Sequence, residues 1–300
     1  MIVKRSMFDQ IEGNVWRSYL LIFLFILLVL GVGWAIGDLS GYGYDLLPIA
    51  LAVALLMSWG SYYYSDRIVL GISGARPASH EEFPFLYNTV EGLSIAAGLP
   101  MPRLYIIDDT APNAFATGRD PPHAVICVTT GLMSKLERVE MEGVIGHEMS
   151  HIKNYDIRFM SLVAILVGVV ALLADWGRRL LWFGGGRRGG RRSGGGGVVA
   201  LVALVLLLLS PIVAMLMQLA LSRRREFLAD ASGAMLTRFP EGLANALTKL
   251  DADTEPLEAA NKATAHLYIV NPLKEHGGRL NGLFSTHPPI EERVRRLRAM

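Results

Sequence analysis

Apolar residues along this chain gather into four long runs separated by stretches of mixed polarity. The first, Tyr19 to Ile36 ("YLLIFLFILLVLGVGWAI"), carries no charge. The second, Leu46 to Trp59, is extended by Tyr62, Tyr63 and Tyr64. The third, Met160 to Ala174, is short, and the fourth, Val198 to Leu221, is long and holds Pro211, which can kink a helix. A bilayer core of about 30 Å takes about 20 helical residues. Runs one and four meet that length alone. Runs two and three are marginal, and the third can equally dip into the membrane or pack on it.

Lys4, Arg5 and Arg17 precede the first run, as they would in a secretory signal. The run is longer than a signal core and a second follows closely, so an uncleaved anchor is the better reading. The same bases hold the N-terminus in the cytoplasm, the link with Asp38 and Asp45 suits the far side, and the chain is back inside at Asp66 and Arg67.

Between the runs the pattern changes. "RLYIID" (Arg103 to Asp108) and "AVICVTTG" (Ala124 to Gly131) read as strands, with β-branched and aromatic residues between turn residues. A helix is expected from about Glu137 to Asn154, its apolar side formed by Val139, Val144, Ile145, Met149 and Ile152. "GGGRRGGRRSGGGG" (Gly184 to Gly197) has no hydrophobic side chain and reads as a flexible loop. A polar helix from Ser222, another near Glu241 to Leu250 and a basic one from Pro288 complete the pattern, with no internal repeat.

Composition sharpens this. Of 300 residues, 52% are hydrophobic and 19% charged, short of the ~25% usual in soluble domains, which argues against a purely soluble protein. The net charge of +2 is unremarkable and no nucleic-acid partner is expected; the arginines matter by their clustering. Those at 178, 179, 187, 188, 191 and 192 can meet acidic lipid headgroups or line a solvated loop. Cys127 is the one cysteine, so no internal disulfide forms, and its setting "AVICV" suits a small buried hydrophobe.

The chemistry lies in "VIGHEMSHIKNYD" (Val144 to Asp156). On a helix, residues i and i+4 lie on one face, so His147 and His151 can aim two imidazoles at one metal. Glu148 is rotated about 100° from His147 and flanks that metal, where a general base belongs. A catalytic zinc needs a third ligand and an open position. In "SRRREFLADASGA" (Ser222 to Ala234), Glu226 and Asp230 again stand i, i+4. Glu226 can ligate, and Asp230 can hydrogen-bond the outer nitrogen of a zinc histidine. Taken alone, the pair is as readily a solvated acidic face balancing Arg223, Arg224 and Arg225. Asp156 is placed to cap or brace the helix end. His80, His123, His266 and His276 lack ligand spacing and read as surface histidines.

"GHEMSH" with Glu226 and Asp230 in "RRREFLAD", after an intervening hydrophobic hairpin, resembles the membrane zinc metalloproteases of the HtpX type, gluzincins with two histidines and a glutamate. "PNAFATG" (Pro112 to Gly118) resembles that family's substrate-holding edge strand, and "STHPPIEERV" (Ser285 to Val294) its C-terminal His-Pro-Pro segment. The resemblance covers nearly the whole chain, with the Gly/Arg loop as the main local oddity. It implies one zinc per chain on His147, His151 and Glu226, with Asp230 behind a ligand and Glu148 as base. It further implies oxyanion donors at His287 and Arg293, and a substrate strand at Asn113, Ala114, Phe115 and Ala116.

The expected fold is mainly α with a small β-sheet: multi-pass membrane helices plus a zincin-like cytoplasmic catalytic domain. Residues 1–65 form a transmembrane hairpin, 66–158 and 222–300 the two parts of the catalytic domain, and 159–221 a second hydrophobic hairpin. His151 and Glu226 must meet, so that hairpin leaves and returns to one face. It is expected to span despite the arginines at its tip, giving four spans with both termini in the cytoplasm of a cell (inner) membrane protein. The expected activity is zinc-dependent endopeptidase cleavage of unfolded or membrane proteins in quality control. A CAAX-type prenyl protease shares the zinc signature but is built from more spans, and a catalytically silent zinc scaffold has no need of Glu148. Oligomeric state is open.

Overall fold

In the computed structural model of the chain, the described residues are 7–169, 223–261, 263–273 and 288–300. The Gly/Arg tract, the fourth apolar run, the third run beyond residue 169, His276 and His287 lie outside them, and with them the expected second hairpin. The described part is mostly helical with one small mixed sheet.

Helices α1 (Met7–Ser40) and α2 (Leu47–Tyr63) are linked through a 3₁₀ turn at Gly43–Leu46 and pack on each other. Their stretches Ile11–Trp34 and Gly43–Tyr63 are long and apolar enough to cross a bilayer. Outward residues such as Phe23, Leu27, Ile49 and Leu56 are exposed, a surface that water disfavours and lipid accepts. The buried stripe of α1 holds Asn14, Ser18, Leu21 and Phe25, spaced i, i+4, i+7 and i+11 on one helical face. Leu21 and Phe25 pack against Phe159, Leu162, Val163, Leu166 and Val167 of α7 (residues 156–169). The third apolar run therefore begins inside the protein, against the first of these two apolar helices.

Beyond α3 (Ser65–Ile72) come β1 (Arg76–Pro77), α4 (Pro84–Ala97), β2 (Arg103–Ile107), β3 (Ala114–Thr117) and β4 (Val125–Thr129). The sheet order is β1-β2-β4-β3, with β2 and β4 parallel and both outer pairings antiparallel. Every residue of β4 is buried, including Cys127, and β3 forms an edge. After the short α5 (Thr130–Lys135) the chain enters α6 (Arg138–Lys153) through a capping box. In it the Glu137 side chain caps the backbone of Glu140, and the Glu137 N–H donates to Glu140 Oε2 at 2.7 Å. Lys249 of α9 (Pro240–Ala252) bonds the same carboxylate at 2.7 Å, so the start of α6 is tied to its neighbour.

Helix α6 runs between the sheet and α8 (Arg223–Thr237), with α9 alongside and α10 (Ile290–Leu297) closing the far side. The approach of α6 to α8 depends on two glycines. A Cβ on Gly233 would lie 2.8 Å from the His147 backbone nitrogen and 2.9 Å from the Gly146 carbonyl carbon. One on Gly146 would lie 3.2 Å from the Gly233 oxygen. No side chain fits between the backbones, so they touch directly at the level of His147. Gly233→Ala is expected to cost about 1–3 kcal/mol through overpacking and to separate the helices that carry His147 and Glu226. Thermal denaturation and zinc content measured together should both fall. Gly92→Ala, on the exposed side of α4 with nothing near its Cβ, should change neither.

Candidate metal centre

Twelve of the sixteen residues of α6, Glu140, Met141 and Gly143 to Ile152, are buried, and three of them are His147, Glu148 and His151. The polar side of this helix faces inward, toward α8. His147 Nε2 and His151 Nε2 stand 3.1 Å apart. Glu226, on the facing turn of α8, places Oε2 3.9 Å from His147 Nε2 and Oε1 3.6 Å from His151 Nε2. One donor atom from each of the three lies within 4.8 Å of the others. Ligands of a tetrahedral metal with bonds of ~2.0–2.1 Å lie about 3.3 Å apart, so this donor set fits a zinc-like dication.

The outer nitrogens are also occupied. His147 Nδ1 is 2.9 Å from Asp230 Oδ1, and His151 Nδ1 is 3.0 Å from Asp156 Oδ2. An N–H donated outward to each carboxylate leaves each Nε2 directed at the shared point. The chain bends sharply to bring Asp156 there. Tyr155 sits in the left-handed region (φ 58), uncommon for a residue with a side chain, and its ring stacks on Arg158 with 5.1 Å from guanidinium carbon to centroid.

Arg293, from α10, is fully buried. Its Nε and Nη2 donate to Asp230 at 2.8 and 2.7 Å, and Nη1 donates to the Ile269 carbonyl at 3.1 Å. Each of the three nitrogens thus makes one bond. Arg293 clamps Asp230, which clamps His147, on the outer side of that ring; the oxyanion role expected of it would need an N–H beyond these three. Its other approaches to the centre are 3.4 Å, from Nη2 to His147 Nδ1, and 3.7 Å, from Nη1 to Glu226 Oε2. Arg225 is likewise buried, not solvated, with Nε 3.7 Å from Asp156 Oδ1. The acidic pair of α8 is no solvated face either, since Glu226 and Asp230 are both buried.

The strand expected to receive substrate is enclosed by the fold in this structure. Asn113, Ala114, Phe115 and Ala116 are all buried. Asn113 Nδ2 donates to the Val270 carbonyl at 3.0 Å, the Ala114 carbonyl accepts from Ile269 N at 3.0 Å, and the Phe115 ring meets Tyr268 edge-on at 5.0 Å. The chain's own residues 268–270 therefore cover that end of the edge. At the other end the Ala116 backbone lies beside the Glu148 carboxylate and favours its charged form. Among the other histidines, His80 and His123 are exposed. His266 is not a surface residue: it is buried, with Nε2 3.1 Å from the Met160 carbonyl.

Burial and neighbouring charge set the protonation of the cluster. Burial, helped by His151 and Arg293, pulls His147 down to about 4 against the pull of Asp230, so this ring is neutral. Burial also opposes charge on His151, but Asp156, Glu226 and Glu148 outweigh it and push its pKa up to about 9. The 3.1 Å contact agrees: His151 Nε2–H donates to the lone pair of His147 Nε2. Burial, reinforced by Glu226, lifts Glu148 to about 7 against the opposing His151, Arg293 and the Ala116 backbone.

Residues 81–300 match the model of "Peptidase family M48". The chain belongs to this family. It is 47% identical over 295 residues to a "Protease HtpX homolog" from Dictyoglomus thermophilum, covering 98% of this chain and 95% of that one. A protein of the same name from Tropheryma whipplei is 47% identical over 294 residues, covering 98% of each chain. The crystal structure of S. mikatae Ste24p superposes with a TM-score of 0.51 at 18% identity. That match covers 96% of this chain and 66% of the Ste24p chain, and it places this M48 protein in the same fold.

The raised pKa of His151 gives metal binding a pH dependence with a definite sign. Below about 9 the ring holds a proton that an incoming metal must displace. Zinc affinity should therefore rise by about tenfold per pH unit between pH 6 and 8, one proton leaving per metal bound. Competition with a chelator of known affinity, run across that interval, measures the slope; a flat profile would mean that His151 is already neutral.

Proposed function

We propose that this M48 protein is a membrane-embedded zinc endopeptidase whose catalytic part faces the cytoplasm. One observation carries the reading. Two imidazoles and a carboxylate converge in a buried site, each imidazole backed by a second carboxylate, with Glu148 beside them. His147 and His151 from α6 and Glu226 from α8 hold the zinc. When bound, zinc supplies Lewis acidity and a water acidic enough to act as nucleophile near neutral pH.

The chain's own residues do the rest. Glu148, lifted to about 7 by burial, is matched to taking a proton from water and handing it to the leaving amine nitrogen. Asp230 and Asp156 keep the two rings oriented. With the Ala114 carbonyl already paired, we place main-chain recognition of an extended peptide toward the Ala116 end of β3, beside Glu148. Backbone recognition of this kind selects for extended chain over sequence. It suits a protease that removes misfolded or damaged membrane proteins; the protease names of its relatives support the peptidase activity.

Glu148→Gln is expected to lower casein cleavage by at least about a hundredfold while zinc content stays at the wild-type level. Cleavage that survives this change would exclude Glu148 as the base. Unaltered zinc with no cleavage in the wild type would favour a silent scaffold.

Orientation is tested at described, exposed positions in a Cys127→Ala background. A cysteine replacing Tyr44, between α1 and α2, should react with a membrane-impermeant thiol reagent on intact cells. One replacing Glu81, before α4, should react only after lysis. The reverse pattern would place the catalytic part outside.

A further inference from the structure

Asn14 lies within the first membrane-spanning stretch, yet it is buried and faces protein. A polar side chain there is costly unless it is fully bonded. Its Nδ2 donates to Asp156 Oδ1 at 2.7 Å and to the Asn154 carbonyl at 3.0 Å. Both acceptors lack protons to give, so the amide must present its NH₂ end to them, which fixes its orientation. The other oxygen of Asp156 takes the His151 Nδ1–H. The bonds thus run without interruption from α1 through Asp156 to a metal-facing imidazole.

We propose that Asn14 is a positioning residue for the metal centre: the first membrane helix holds the Asp156 carboxylate against His151 and so sets the aim of that ligand. The proposal rests on the zinc reading above.

The geometry leaves little else to do this work. Among the described residues, Asp156 Oδ1 has one further basic neighbour in an ion pair, Arg225 Nε at 3.7 Å, beyond hydrogen-bond distance. Asp156 also follows Tyr155, held at positive φ, at a turn between two helices, where the backbone alone is poorly determined. By donating to the Asn154 carbonyl as well, Asn14 bridges both sides of that turn. Apolar contact between Leu21, Phe25 and α7 docks α1 but has no direction that could orient a carboxylate; the Asn14 bonds do. Hinging or tilting of α1 in the bilayer would therefore be felt at His151 before any other ligand.

The test uses the full chain in detergent or nanodiscs, in a Glu148→Gln background that prevents self-digestion. Zinc dissociation constants are measured by chelator competition for that background and for Asn14→Leu, Asn14→Asp, Ser18→Ala and Glu226→Ala. Leucine and aspartate match asparagine in size but cannot donate two N–H bonds. Ser18 is the control: it is buried on the same stripe, and its hydroxyl bonds only within α1, to the Asn14 carbonyl at 2.8 Å.

Both Asn14 variants should weaken zinc binding by about tenfold or more, the effect usual for a residue that orients a ligand, while Ser18→Ala stays within about twofold. The visible spectrum of the cobalt-substituted protein should shift in the Asn14 variants and not in Ser18→Ala, reporting a changed ligand geometry that simple loss of stability would not produce. Background-like affinity and spectrum in both Asn14 variants would overturn the proposal while leaving the metal centre intact, provided Glu226→Ala still loses zinc. Absence of tight zinc binding in the background protein would overturn both.

Discussion

An excess of buried negative charge is the constraint that the rest of the structure answers. Glu148, Glu226, Asp230 and Asp156 are all buried around one point, and two guanidiniums, Arg225 and Arg293, are buried with them. With both imidazoles in the neutral form that ligation requires, four carboxylates against two guanidiniums leave a formal charge of minus two. A deficit of that size in a low-dielectric interior costs several kcal/mol per uncompensated ion. A dication cancels it. Short of that, the cluster softens the cost by holding protons: burial, reinforced by Glu226, pushes Glu148 upward, and Asp156, Glu226 and Glu148 push His151 upward against its burial. Metal affinity and proton affinity of this site are one property of the same charge arrangement.

Each candidate histidine ligand is held by a group from a different part of the chain. His147 is backed by Asp230 of α8, which is clamped by Arg293 of α10. His151 is backed by Asp156 at the start of α7, which is held by Asn14 of α1. The two histidines are neighbours on one helix turn, but their supports reach opposite ends of the sequence. This makes the centre a product of the whole fold. The Gly146–Gly233 contact brings the ligand helices within range, and the outer bonds then choose the rotamers. Packing sets the distance and hydrogen bonds set the direction, because dispersion has no preferred angle and an N–H does.

What was legible in the sequence was what periodicity encodes. His147 and His151 at i, i+4, Glu226 and Asp230 at i, i+4, the strands near 103–108 and 124–131 and the two N-terminal apolar runs follow from a helical or extended repeat. What was not legible depends on irregular backbone or on tertiary contact. Asp156 lies five residues beyond His151, off the face of the helix, and reaches the ring only because Tyr155 turns the chain at positive φ. Asn14 is one polar residue ahead of an apolar run, and nothing in that pattern ties it to Asp156 until α1 is seen packed on α7. Arg225, in an arginine triplet that looks solvated, and His266, in a polar context, are buried by neighbours distant in sequence. Asn113 and Phe115 sit in a segment whose family likeness points to substrate, but the edge they form is covered by residues 268–270.

The placement of Arg293 changes what loss of function at that residue can mean. Its charge is fully buried and its bond to Asp230 is bidentate, so removing either partner strands the other in the interior, at a cost of about 3–5 kcal/mol. A protein of ordinary stability loses much of its folded margin to such a change. Inactivity of an Arg293→Ala protein therefore carries no information about an oxyanion, because the same substitution releases Asp230, lets the His147 ring turn and weakens the fold. Only a pair change that removes both charges together, compared with each single change, separates the worth of the clamp from the penalty of an orphaned ion. The same reasoning holds for Asp230 and, more weakly, for Asp156, whose partner Asn14 is neutral and leaves no stranded charge when it is removed. That neutrality is what makes the Asn14 end of the network the cleaner place to ask how the membrane helix acts on the metal.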